Sequence, residues 1–202
     1  MVSRFTAEEK ERITEGIRQK YEKVAISPEG NFRYPTGHRG LEGQNYDPDL
    51  LKRLPDEVAE SFCGVGNPFS LGTIPKGGAV LDAGCGAGVD SLIAAMIVGP
   101  AGKVFGIDLV PEMVERARLN LGKTSLNNVE FKHSSADNTG FPDSIFDAVI
   151  SNGAINLIPE KATAMAEFFR VLKPEGRLMI ADQILVGEPS GDTRAMVDNW
   201  AG

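Results

Sequence analysis

Cysteine is scarce in this 202-residue chain: Cys63 and Cys85 are the only two, so no disulfide framework holds the fold together. Positive charge is also in short supply. Asp and Glu number 28 against 21 Lys and Arg, a formal net charge of −7, which argues against a surface built to grip phosphate backbones and so against nucleic acid as a partner. There are two histidines, His38 and His133, and neither has the spaced His, Cys or carboxylate partners of a zinc or iron site, so no metal is expected. Long apolar runs are missing too. The most apolar helical stretch, around residues 92–98, falls far short of the ~18 residues needed to cross a bilayer, and no membrane association is expected. The first residues, MVSRFTAEEKER, are charged from Arg4 onward and lack the apolar core of a secretory signal; a reducing cytoplasm is the simplest setting.

What is present is an ordinary globular balance, 42% hydrophobic and 24% charged, in two textures. Residues 1–73 read as helical pieces around a loop, an extension on the substrate side. Thr6 and Glu9 make a capping box, and Ile13, Ile17, Tyr21 and Val24 follow at helical spacing. The stretch NFRYPTGHRGLEGQNY has no sustained period and reads as a loop. Its Tyr34 and Tyr46 suit either a lid or packing on the domain surface, and its His38 reads as exposed. Asp47-Pro48 starts a second helix, and Pro55 a third that ends at Gly64.

Residues 74–184 alternate strand and helix. Strands are expected at 79–83, 103–108, 129–133, 146–151 and 177–182, and helices at 89–98, 111–121 and 161–172. Such βα repeats fold as a doubly wound α/β domain with a mostly parallel, Rossmann-like sheet, whose ligands bind outside the carboxyl ends of the strands. The tail 185–202, polar with one short helical pattern, has no clear place for the closing hairpin of such a sheet. The expectation is a fold lacking its last strands, with an exposed sheet edge that favours pairing with a second copy as a homodimer.

The segment VLDAGCGAGVD puts Gly84, Gly86 and Gly88 between a strand and a helix. A glycine triplet alone can be a tight turn. Asp108, however, closes the next strand 20 residues past Gly88, where a ribose-binding carboxylate belongs. The spacing is G-x-G-x-G and not the dinucleotide G-x-G-x-x-G. Asp82 before the loop and Asp90 in the first helical turn would repel a pyrophosphate. They suit a nucleoside carrying ammonium and sulfonium groups, as S-adenosylmethionine does; Asp90 can serve the helix dipole as well.

LDAGCGAG followed by VFGIDLVPEMVERA resembles the first two cofactor motifs of class I S-adenosylmethionine-dependent methyltransferases. The resemblance implies S-adenosylmethionine as cofactor and S-adenosylhomocysteine as product. It implies that Asp108 holds the ribose hydroxyls, that Leu109 and Met113 lie near the adenine, and that Ala136 and Asp137 of SSADNTGF meet its amino edge. Asp137 could otherwise be a solvated turn residue, and Phe146 reads as core. KYEKVA, FRYPTG, ESFCGVGNP and SNGAINLIPEK together resemble the arsenite methyltransferase branch, over about residues 20–182. That resemblance brings Ser151 and Asn152 into the site beside Asp82, Gly84, Cys85, Gly86, Gly88 and Asp90. It also makes Cys63 the candidate contact to a small-molecule or metalloid acceptor, with Gly64 and Gly66 permitting close backbone approach. Read without it, Cys63 is better explained as a buried, inert thiol, and the resemblance brings the two readings level. The branch carries a cysteine where this chain has Gly153. A single protein thiolate holds trivalent arsenic poorly, so the acceptor stays open. A small organic acceptor of the quinone-precursor type and a non-catalytic cofactor-binding module are the rival readings.

Overall fold

A computed structural model describes residues 5–184 and Trp200. Helix α1 (Ala7–Ile26) begins at the expected capping box: the Glu9 amide donates to Thr6 Oγ1 at 3.2 Å, and the Thr6 amide donates to Glu9 Oε2 at 2.8 Å. Its buried positions, Ile13, Ile17 and Val24, lie on one face at helical spacing. The loop expected at residues 31–46 contains a helix, α2 (Gly37–Gly43). Its glycine-rich sequence has poor intrinsic propensity, and tertiary packing stabilises it. The Gly37 amide donates to the Phe62 carbonyl at 2.7 Å, and Leu41 is wholly buried with Tyr46, Val58, Phe62 and Leu92. Short helices α3 (Pro48–Leu51) and α4 (Asp56–Ala59) follow. The third helix was expected to run to Gly64 and stops earlier: the Ser61 hydroxyl takes the Val58 carbonyl at 2.6 Å and the chain turns out.

The sheet comprises β1 (Ala79–Ala83), β2 (Lys103–Asp108), β3 (Val129–His133), β4 (Phe146–Asn152) and β5 (Leu172–Ala181). All pairings are parallel, in the order β3-β2-β1-β4-β5. The order reverses between β1 and β4, so a crevice opens beside Asp82, one residue before the end of β1, and Asn152, the last residue of β4. Strand β5 starts at Leu172, ahead of the expected 177. Its register against β4 shifts between Phe146 and Ala148, with Glu175 at φ 65° marking the irregular stretch. Among the described residues β3 and β5 are the outer strands. The tail pattern at 185–202 lies outside the described residues apart from Trp200, whose indole donates to the Leu157 carbonyl at 2.8 Å.

Helix α5 (Val89–Val98) is buried on nearly every side, and its position explains why. Ala94, Ala95 and Val98 face the sheet with Val80, Val104 and Ile150, while Val89, Leu92, Ile93 and Met96 face Leu41, Tyr46, Leu54, Val58 and Phe62 of the N-terminal extension. A helix between two apolar layers is apolar all round. Helix α6 (Pro111–Leu121) packs Val114 and Ala117 on Phe131. Helix α7 (Lys161–Val171) covers the other sheet face, with Phe168 and Val171 against the fully buried Phe146. No helix among the described residues is long and apolar enough to cross a membrane.

The extension is therefore core and not decoration. Leu41→Ala is expected to cost about 2–5 kcal/mol, whereas Leu71→Ala, at a position 58% exposed, stays within about 0.5 kcal/mol. Urea unfolding of both variants checks this, and equal midpoints would contradict it.

Candidate functional site

Three glycines build the turn from β1 into α5. Gly84, Gly86 and Gly88 have φ of 76°, 52° and 84°, in the left-handed region that disfavours any side chain. At Gly84 a Cβ would also stand 2.3 Å from that of Ala154, and at Gly88 it would stand 2.6 Å from the Phe131 ring. The turn spends its own amides. Gly84 and Cys85 donate to the Ile107 carbonyl at 2.8 and 2.9 Å, Gly88 donates to the Cys85 carbonyl at 2.8 Å, and Gly86 donates to Asp108 Oδ2 at 2.8 Å. A loop that cradles pyrophosphate leaves such groups open toward the ligand. These four are taken.

Asp108 ends β2 with its other oxygen accepting from the Val110 amide at 2.9 Å, so the carboxylate is fixed while each oxygen keeps a lone pair for a ligand. Burial pushes its carboxyl up, and the two amides and nearby His133 oppose that. His133 itself bonds the Leu109 carbonyl at 2.9 Å. Asp137 accepts from Ser135 Oγ at 2.5 Å. Asp108, Leu109, Ala136 and Asp137 line one long cleft with Gly84, Gly86, Asn152 and Gly153. Its far wall is Thr14, Ile17 and Tyr21 of α1 together with residues 157–159.

A smaller cavity continues behind the glycine turn, sharing Cys63, Gly84, Gly86 and Asn152 with the cleft and adding Asp82, Cys85 and Asp90. Asp82 is 2% exposed and accepts from Ser91 Oγ at 2.6 Å. Gly106, beside Asp82 in the sheet, makes room for that serine, since a Cβ there would meet Ser91 Oγ at 2.9 Å. Asp90 accepts from the Tyr46 hydroxyl at 2.7 Å and from Asn152 Nδ2 at 2.9 Å. Burial, opposed by these two donors, sets the Asp90 carboxyl at about 6. Asp82 is also pushed well up, by burial first and then by the negative charge of Asp90. Among the described residues no Lys, Arg or His lines either cavity, which together present Asp82, Asp90, Asp108 and Asp137.

Cys63 is half-buried, reaches both cavities, and has its thiol pushed up to about 12 by burial and by Asp108 and Asp90, so it is protonated at neutral pH. Its carbonyl accepts from the Tyr34 hydroxyl at 3.0 Å. Cys85 lies under the loop with Val114, Ala117 and Phe131 and touches only the small cavity. Gly153 lines the cleft at φ 72°, and a Cβ there would find nothing nearer than the Val65 methyls at 3.4 Å.

Three of the expected site residues do not face either cavity. Met113 is wholly buried beneath the loop with Val24, Ala87 and Val110, because α6 turns it inward. Ser151 is wholly buried and donates to the Ala83 carbonyl at 2.7 Å, tying β4 to β1. Gly88 acts through the turn it permits. His38 stands apart, 3.6 Å from Asp56. Tyr46, left open as lid or surface, is instead 4% exposed and bonded to Asp90. Ser91, Ser135 and the α1 wall were not singled out; only Ser91, next to Asp90 in the glycine motif, had a sequence signal.

The family model described as "Methyltransferase domain" matches residues 74–198, and the chain belongs to that family. Within it, the chain resembles arsenite methyltransferases. It is 34% identical to the arsenite methyltransferase of Halobacterium salinarum over 95% of this chain and 52% of that protein. The crystal structure of CrArsM, an arsenic(III) S-adenosylmethionine methyltransferase from Chlamydomonas reinhardtii, superposes with a TM-score of 0.61 at 37% identity, covering 67% of this chain and 48% of that one. A demethylmenaquinone methyltransferase of Listeria welshimeri is 36% identical over 56% of this chain and 48% of its own length. The chain thus spans about half the length of the curated relatives it matches.

An acid whose folded-state pKa lies above its unfolded value binds more protons when folded, so its ionisation opposes folding as pH rises. For Asp82, burial sets that direction. Asp82→Asn, which can still accept from Ser91, is therefore expected to stabilise the ligand-free protein by about 1–2 kcal/mol at pH 8 and to do little at pH 4. Thermal melts at the two pH values check it; equal gains at both would contradict it.

Proposed function

We propose that this chain carries the cofactor-binding half of an S-adenosylmethionine-dependent methyltransferase of the arsenite methyltransferase type, acting in the cytoplasm. The observation that supports it most is the charge of the cleft: four carboxylates and no lining cation among the described residues. Such a cleft disfavours a dinucleotide's phosphates and favours a cationic nucleoside. In this reading residues 74–184 bind the cofactor and residues 1–73 supply the acceptor wall.

The residues fit the group. Asp108, held by the Gly86 and Val110 amides, keeps lone pairs for a ribose diol. Leu109, Ala136 and Asp137 border the same end for the adenine. Asp82 and Asp90 take the ammonium end. Bound S-adenosylmethionine supplies an electrophilic methyl group on a sulfonium. The protein's part is in-line positioning and exclusion of water.

Among the described residues the acceptor side offers neither a thiolate nor a histidine as base: Cys63 is a protonated thiol and no histidine lines the cleft, whose carboxylates are the ones assigned to the cofactor. An acceptor that needs no deprotonation, such as thiol-bound trivalent arsenic, suits this wall. Gly153 favours the second reading, a small organic acceptor, because it leaves Cys63 without a partner thiol. The organic acceptors of that class must be deprotonated first, and among the described residues the wall has no histidine or thiolate to do it.

Isothermal titration tests the cofactor. S-Adenosylmethionine and S-adenosylhomocysteine are expected to bind, NAD is not, and Asp108→Ala is expected to weaken both ligands at least tenfold; tighter binding of NAD would overturn the reading. For the acceptor, Gly153→Cys faces strain of about 1–2 kcal/mol from its left-handed backbone but has room for the side chain. It is expected to raise arsenite methylation at least tenfold in the presence of glutathione, with Cys63→Ser abolishing the gain. A gain that survives Cys63→Ser would remove Cys63 from the acceptor site.

A further inference from the structure

Asn152 and Tyr46 form a hydrogen-bond knot with more acceptors than protons. The Tyr46 hydroxyl, with one proton, lies 2.7 Å from Asp90 Oδ1 and 3.0 Å from the Gly66 carbonyl. Asn152 Nδ2, with two, lies 2.7 Å from the Gly66 carbonyl, 2.9 Å from Asp90 Oδ2 and 3.1 Å from the Tyr46 oxygen. Asn152 Oδ1 meanwhile accepts from the Val65 and Gly66 amides at 2.8 and 3.1 Å. Gly64 lets this happen, since a Cβ there would stand 2.3 Å from Asn152 Nδ2. Asp90 is the only charged member, and Tyr46 is 4% exposed with its ring set edge-on to Phe62 and Phe69, so the hydroxyl has little freedom to turn away.

We infer that Tyr46 is a positioning residue: its hydroxyl holds the Asp90 carboxylate ionised and fixed at the cation end of the cleft, so that the N-terminal extension sets cofactor affinity from outside the cofactor-binding unit. The inference rests on the cofactor reading above. It assigns the extension a part in binding the methyl donor, in addition to forming the acceptor wall.

The charge states around Asp90 give the inference its test. The titratable groups facing it are Tyr46 from the extension, Asp82 from β1 and the Cys63 thiol; Asn152 from β4 is uncharged, and Asp108 acts at longer range through Asp82 and Cys63. A hydrogen bond donated to a carboxylate lowers its pKa, so deleting the donor raises it. Cation binding needs the carboxylates, so the share of the affinity that Asp90 supplies rises with pH through its titration near 6 and levels off above it, while Asp82 contributes a rise of its own.

The experiment is titration of S-adenosylhomocysteine into the full chain from pH 5 to 8.5, for wild type, Tyr46→Phe and Asp90→Asn. Tyr46→Phe keeps the ring packing. It is expected to move the binding midpoint up by about 0.5–1 pH unit, giving about two- to fivefold weaker binding at pH 6 and affinity within about threefold of wild type at pH 8.5. A loss of equal size at every pH, or an unmoved midpoint, would overturn the inference, since a residue that only packs has no reason to act through protonation. Incorporating 3-fluorotyrosine at position 46 provides a second arm that leaves the fold intact. Its more acidic hydroxyl is a stronger donor and is expected to shift the midpoint down; no shift counts against the inference. Asp90→Asn separates the two levels. If it removes the pH step while Tyr46→Phe leaves the midpoint in place, the inference alone fails. If the wild type shows no binding, or a pH step that Asp90→Asn leaves untouched, the cofactor reading fails and the inference with it.

Discussion

Two carboxylates, Asp82 and Asp90, open into one small cavity with no basic residue lining it among the described residues. This uncompensated negative charge is the constraint on which the site depends. Buried charge of one sign is tolerated only when hydrogen bonds, protons or a ligand offset it. The surroundings supply hydrogen bonds in place of a cation, Ser91 for Asp82 and Tyr46 and Asn152 for Asp90, and burial still pushes both carboxyls up. The remainder is left for a cation from outside. Affinity and instability here have the same origin, as is common where a site is held ready for a charged ligand.

The fold delivers these groups by simple means. Asp82 and Asn152 approach the ends of neighbouring strands at the point where strand order reverses, and Asp108 ends the next strand along. The left-handed glycines turn the chain sharply enough to bring Asp90 back over Asp82 within a few residues. Gly106 then lets α5 sit close enough for Ser91 to reach.

Much of this was legible in the sequence because it is local. The β1 strand, the glycine turn and α5 announce themselves by composition, and the 20-residue interval to Asp108 follows from one βα unit of ordinary length. The capping box at Thr6 and the missing thiol at Gly153 could likewise be read directly. Long-range contacts were not legible. Helix α2 has a loop's composition and is helical because Phe62 and the α5 face cover it. Tyr46 lies 44 residues before Asp90, and nothing near it in sequence distinguishes it from Tyr34. Met113 matched a motif position, yet the rotation of α6 that turns it inward depends on how Val110 and Ala87 pack.

The double-sided burial of α5 bears on how such a unit can be exchanged between proteins. A nucleoside-binding sheet is often treated as a portable module, with acceptor-recognising segments added to it. Here the helix that starts at the cofactor turn has an outer face of Val89, Leu92, Ile93 and Met96 that packs on Leu41, Tyr46, Leu54, Val58 and Phe62 of the extension, with Leu121, Leu126 and Val129 at its margin. Residues 74–184 cut from the extension would present that face to water, a contiguous apolar patch of the kind that drives association. In this chain the cofactor unit and its cover have to be inherited together, and a graft that takes one without the other carries a surface that was never meant to be wet.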